Sequence, residues 1–143
     1  MKINKKTKIL VIDGQGGKLG AQIISGLKDR WIDAEIAALG TNSVASANMM
    51  KAGPSFAASG ENAVTVACRT ADIIVGPIGI VIADAFHGEI SPAMALAVAQ
   101  ADAERILIPV NRCNNYVAGL RFQTVSELVE DAIQKIVSLL NES

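Results

Sequence analysis

The chain has 143 residues, half of them hydrophobic but only one Trp, one Tyr and three Phe, and its formal net charge is −1. That is enough apolar material for the core of a single domain spanning residues 1–143. Its charges are scattered, so apart from Lys2, Lys5, Lys6 and Lys8 no basic cluster marks a nucleic-acid surface. No apolar run reaches the roughly eighteen residues that cross a bilayer and the N-terminus lacks a signal-peptide core, which places the chain in the cytoplasm and off the membrane.

After a polar lead-in, Ile9 to Ile12 reads as a buried strand. It runs through Asp13 into a loop with glycines at 14, 16, 17 and 20. Ile23, Ile24, Leu27 and Trp31 then recur at helical spacing, giving a helix from about Gly17 to Arg30. In a strand–glycine turn–helix unit the backbone can approach a ligand closely. The free N–H groups of the first helical turn, with the helix dipole, form a site for an anion, usually phosphate. The candidate binding residues here are Asp13, Gly14, Gln15, Gly16, Gly17 and Lys18, with Gly17 the position where an added Cβ is expected to displace the ligand. The spacing G-x-G-x-x-G fails from Gly14 because Leu19 stands at the last position, but G-x-x-G-x-x-G fits at Gly14, Gly17 and Gly20. That spacing resembles the loop of extended and atypical short-chain dehydrogenase/reductases, which bind NADP or NAD, with Asp13 in place of their threonine. A Walker loop is absent, since Leu19 follows Lys18.

Glu35 to Leu39 is the second strand, closed by Gly40, and Thr41, Asn42 and Ser43 offer caps for a helix that ends near Ala52 before Gly53-Pro54. A Rossmann ribose-binding acid belongs at the carboxyl end of this strand. Asp33 and Glu35 lie at its beginning, about 15 Å away at ~3.3 Å per residue. Thr41 and Asn42 stand at the proper end, where neutral groups tolerate a 2′-phosphate or simply cap the helix. NADP, or another nucleotide, is accordingly the first ligand candidate. Ser55 to Gly60 reads as loop. Glu61 to Arg69 is assigned helix because two parallel strands need a crossover, although Val64, Thr65 and Val66 alternate like a strand.

Asp72 to Val75 is the third strand, ended by Gly76-Pro77-Ile78-Gly79, and Gly76 and Gly79 join the candidate binding residues. Ile80 to Phe86 is either a fourth strand or a short helix. Pro92 to Ala101 is helix, with Ser91 as cap. Arg105 to Ile108 is a further strand, Asn111 to Gln123 is loop with room for a short strand at Tyr116 to Leu120, and Thr124 to Leu140 is an amphipathic helix. The fold class is α/β: a three-layer Rossmann-like domain with a mainly parallel sheet of four or five strands, in the order 2-1-3-4 or alternatively 3-2-1-4.

Val-Ile-Asp-Gly-Gln-Gly-Gly at 11–17, Gly-Pro-Ile-Gly at 76–79 and Asn-Arg-Cys at 111–113 resemble a small bacterial family known only as a domain of unknown function. The likeness takes in Ala-Leu-Gly-Thr-Asn at 38–42 and Gly-Glu-Asn-Ala at 60–63. It implies a Rossmann-like fold and carries over no catalytic residue. The run Asp72 to Gly76 also resembles the dehydrogenase/reductase strand that passes beside the cofactor.

Chemistry beyond binding is sparsely marked. His87, the single histidine, has Asp84 and Glu89 nearby in sequence but reads as an exposed turn residue, and no metal site is assigned. Cys68 and Cys113 lack metal or disulfide spacing. The Tyr-x-x-x-Lys pair is missing, because Leu120 stands where Tyr116 would need its lysine, and so is a G-x-S-x-G elbow. Arg112 could bring to the glycine loop the charge it lacks, and Cys113 beside it is either a nucleophile or a buried small hydrophobe. Two functions remain: a module that binds a small anionic ligand or nucleotide, or a small cofactor-dependent enzyme whose substrate site is built from loops 76–79 and 111–115 at a dimer cleft. A homo-oligomer, a dimer first, is expected from a mean hydropathy of +0.35. Met49, Met50, Phe56, Phe86 and Met94, which have no evident place in the core, point the same way.

Overall fold

A computed structural model describes residues 6–110, 112 and 114–142. Its elements in chain order are β1 (Lys8–Asp13), α1 (Lys18–Asp29), β2 (Glu35–Gly40), α2 (Ser43–Met50), β3 (Phe56–Ser59) and α3 (Glu61–Cys68). There follow β4 (Ile73–Pro77), a 3-10 turn at Ile78–Val81, α4 (Pro92–Gln100), β5 (Glu104–Ile108) and α5 (Val125–Glu142). The five strands form one sheet in the order β3-β2-β1-β4-β5, and every pairing is parallel.

The central strands are unbroken apolar runs because both of their faces are covered. Alternation along β1 sends Ile9 and Val11 to one side, against Ile23, Ile24 and Leu27 of α1, Met49 of α2 and Ile133 and Ile136 of α5. Leu10 and Ile12 face the other side, against Val64 and Cys68 of α3 and Met94 and Val98 of α4. Burial there pushes the Cys68 thiol up to about 11, which keeps it protonated and unreactive. Three-layer architecture follows directly.

The four strands expected from the sequence lie side by side as β2-β1-β4-β5, the order 2-1-3-4. The fifth is a correction: Phe56–Ser59, read as loop, pairs with β2 from Ala37↔Phe56 to Gly40↔Ser59. Phe-Ala-Ala-Ser has no β-branched residue, so its strand is held by neighbouring backbone rather than by propensity. Glu61–Cys68 is helical, as the crossover requirement demands, despite its alternating β-branched residues. The stretch from Ile80 to Phe86 is neither a strand nor an α-helix; it leaves the 3-10 turn for a series of tight turns. No strand occurs at Tyr116 to Leu120. Met49, Phe86 and Met94 belong to the core, leaving Met50 and Phe56 exposed among the five apolar residues set aside for an interface.

Gly76 lies in β4 directly beside β1, where a Cβ would collide with the Ile12 carbonyl oxygen. Neighbouring backbone in a sheet centre cannot swing away as a side chain can. Gly76→Ala is therefore expected to destabilise the fold by about 1–3 kcal/mol, seen as a lower urea midpoint at unchanged slope.

Candidate functional site

The carboxyl ends of β1, β4 and β5 open on one edge of the sheet. Between β1 and β4 the chain switches from helices on one face to helices on the other, and in open α/β sheets such a switch point leaves a crevice for ligands. A cavity of about 450 Å³ lies at that edge. Asp13, the loop from Gly14 to Lys18, Leu19 and Gln22 line one side, and Pro77, Phe86, Val110 and Val125 line the other.

Asp13 ends β1 and is buried. Its Oδ1 accepts the Gly14 N–H at 2.8 Å and its Oδ2 accepts the Gly20 N–H at 2.8 Å, so one carboxylate ties the start of the loop to the first turn of α1. Burial raises its pKa, the N–H groups of Gly20 and Gly14 pull it back, and the charge of Glu89 adds a smaller upward push; the net value lies above the ordinary one. The loop turns on left-handed residues Gln15 (φ 51°) and Gly17 (φ 73°), and the Gly17 N–H closes the turn on the Gly14 carbonyl at 2.9 Å. Its outer carbonyls are occupied: Asn42 Nδ2 donates to Gln15 O at 3.0 Å and Asn48 Nδ2 to Gly16 O at 2.7 Å.

With those carbonyls engaged, the loop N–H groups can be accounted for one by one. Gly14 and Gly20 bond Asp13, whose carboxylate also draws on the Leu19 N–H, Gly17 bonds Gly14, and Gln15 bonds Glu89 Oε1 at 2.8 Å. Among the described residues, the N–H groups of Gly16 and Lys18 have no acceptor. Both residues are exposed and line the cavity. Lys18 also brings an ammonium that is in no ion pair among the described residues.

Glu89 is the site residue that the sequence reading assigned no binding role. Its Oε1 accepts from Gln15 N–H, from Thr41 Oγ1 at 2.6 Å and from Asn42 Nδ2 at 2.9 Å. An acid thus stands at the carboxyl end of β2, but it is delivered by the turn before α4. That turn places Asp84, Phe86, His87 and Gly88 all at positive φ, and it lays Phe86 against Gly14 and Gly79. Glu89 and Gln15 are separated by 74 positions, so no local spacing signals the pair.

The other expected residues scatter. Thr41 and Asn42 lie outside the cavity lining; Asn42 caps α2, its Oδ1 accepting the Ala45 N–H at 2.8 Å. Gly76 and Gly79 serve packing, against Ile12 and against Phe86, and of the segment 76–79 Pro77 alone lines the cavity. Arg112 lines a neighbouring hollow with Arg121 and is not in the lining of the glycine-loop cavity. Asn111 and Cys113 lie outside the described residues. Gly17 is also more than a ligand contact: a Cβ there would sit 2.6 Å from the Ala45 carbonyl oxygen, so its substitution strains the backbone and the packing against α2. Nothing lies within 4 Å of a Cβ built on Gly16.

The family model described as Domain of unknown function (DUF3842) matches residues 8–141, and the chain belongs to that family. No curated protein matches it. Among solved structures, a dodecameric FMN-dependent Ubix-like decarboxylase from Escherichia coli O157:H7 is similar at a TM-score of 0.45, with 13% identity over 94% of each chain. No helix among the described residues is long and apolar enough to cross a membrane.

Burial works to raise the Glu89 pKa, but the bonds from Thr41, Gln15 and Asn42 outweigh it and hold the carboxyl below its ordinary value. A lowered folded-state pKa means that its ionised form stabilises the fold above the unfolded pKa, and that this contribution is lost as pH falls through the folded value. Glu89→Gln should thus lower the urea midpoint at pH 7, with the gap to wild type narrowing as the medium is acidified through the carboxylate range.

Proposed function

We propose that this family member is a binding module for a phosphate-bearing ligand of mononucleotide size, held at the glycine loop. The observation that carries the reading is the pair of unclaimed N–H groups, Gly16 and Lys18, on the wall of the cavity at the sheet's switch point. A phosphate there would accept from both, with the α1 dipole behind it and the Lys18 ammonium beside it. The apolar body of the ligand would lie against Pro77, Val110 and Val125, and about 450 Å³ suits a group of this size.

NADP loses its place as first candidate on electrostatic grounds. Glu89 puts a carboxylate where a 2′-phosphate would lie at the end of β2, and like charges there repel. It also claims the Gln15 N–H from any second phosphate. Nucleotides without a 2′-phosphate are therefore favoured. Residues 1–143 act as one unit in this reading, and no reaction needs to follow binding. A homodimer through the β3 edge is part of the proposal, because Val44, Met50 and Phe56 are exposed on the adjoining α2 and β3.

Thermal shift with AMP, FMN, NAD, NADP and inorganic phosphate tests the ligand class. A mononucleotide at a hundred times its Kd should add about 2.7 kcal/mol, NADP should trail NAD, and Gly16→Val should remove the response while leaving the unliganded midpoint near wild type. No shift with any of these ligands overturns the reading. For the dimer, light scattering at micromolar concentration should give twice the chain mass for wild type and a single chain for Phe56→Glu; a monomeric wild type dismisses that part alone.

A further inference from the structure

Beyond β5, residues 109, 110, 112 and 120–123, with Val125 and Leu128 of α5, line a hollow of about 250 Å³. Two guanidinium-bearing residues, Arg112 and Arg121, line it over an apolar floor that includes Pro109, Leu120 and Leu128, and no carboxylate is in the lining. The nearby acids are otherwise engaged. Glu127 accepts from the Thr124 N–H at 3.1 Å and its hydroxyl at 2.9 Å, and Asp131 accepts from Gln123 Nε2 at 3.0 Å. Among the described residues the ion pairs are Lys6–Asp33 and Arg30–Glu130, so neither arginine of the hollow has an acidic partner.

Two cations sharing one small hollow repel each other, and an anion between them reverses the sign of the interaction. We infer that this hollow is a second binding site, separate from the glycine loop, for an organic oxyanion whose carboxylate or phosphate is gripped by Arg112 and Arg121. The guanidinium fork matches either group bidentately. Phe122, in the same lining and 96% exposed, offers a ring face to a planar body. Val110 and Val125 wall both this hollow and the glycine-loop cavity, so the bodies of two ligands would meet there. The arrangement is that of a site for a second molecule brought alongside the first.

Calorimetric titration with benzoate and, separately, phenyl phosphate tests this in the full chain. At least one probe should bind wild type, and Arg112→Gln and Arg121→Gln should each weaken it several-fold and together at least tenfold, with far-UV dichroism unchanged. Loss confined to benzoate identifies a carboxylate site, and loss confined to phenyl phosphate a phosphate site. The same titrations are made in the Gly16→Val background, where the glycine loop no longer contributes, and probe binding that persists there and is lost on adding both arginine substitutions belongs to this hollow. Absence of binding by both probes in that background, or equal binding after both arginine substitutions are added to it, overturns the inference.

Discussion

Everything at the carboxyl edge of the sheet hangs on one buried carboxylate. Asp13 closes the strand–loop–helix unit by accepting from the N–H groups of its neighbour Gly14 and of Gly20, seven residues further on than Asp13 itself. Burying it costs solvation, which is why its pKa rises, and the backbone donors of Gly20, Gly14 and Leu19 plus the positive end of α1 offset part of that cost. Asp13 lines the cavity, but both of its oxygens are engaged by loop and helix N–H groups. The donors that Asp13 uses differ from those left over at Gly16 and Lys18.

A second carboxylate works from the other side. Glu89 gathers Gln15, Thr41 and Asn42, and thereby joins three segments, the loop after β1, the end of β2 and the turn before α4. The left-handed residues at 84 and 86–88 are energetically unfavourable for side chains larger than glycine. The turn that they form is held by Phe86 in the core and by backbone bonds such as Asp84 N–H to Ile90 O at 2.7 Å. The contact that steadies Gln15 consequently also places negative charge beside Thr41.

Long regular features were legible in the sequence because each rests on local rules. The apolar run of β1, the helical spacing of α1 and α5, a cap for α2 among Thr41, Asn42 and Ser43, the Ser91 cap and the stop at Gly53-Pro54 need nothing beyond neighbours in the chain. The helix at Glu61–Cys68 was legible only through topology, its local pattern pointing to a strand. Features built by distant pairing were not legible. Phe56–Ser59 is a strand because β2 lies beside it, and Glu89 joins the site because an irregular turn carries it there. Arg112 lines the hollow beside the glycine-loop cavity rather than that cavity itself, since no spacing rule fixes how a long loop folds.

The glycines show why a loop fingerprint identifies a backbone shape before it identifies a ligand. Gly14, Gly17 and Gly20, the three that satisfy the spacing, are all buried, against Phe86 and Glu89, against Ala45, and against Met49 and Asp13. Each would be required for this packing with no ligand present. Gly16 lies outside the G-x-x-G-x-x-G positions, is exposed and meets nothing. The fingerprint therefore reports how α1 docks beside α2 and β1, and the case for an anion rests instead on which N–H groups that docking leaves unclaimed.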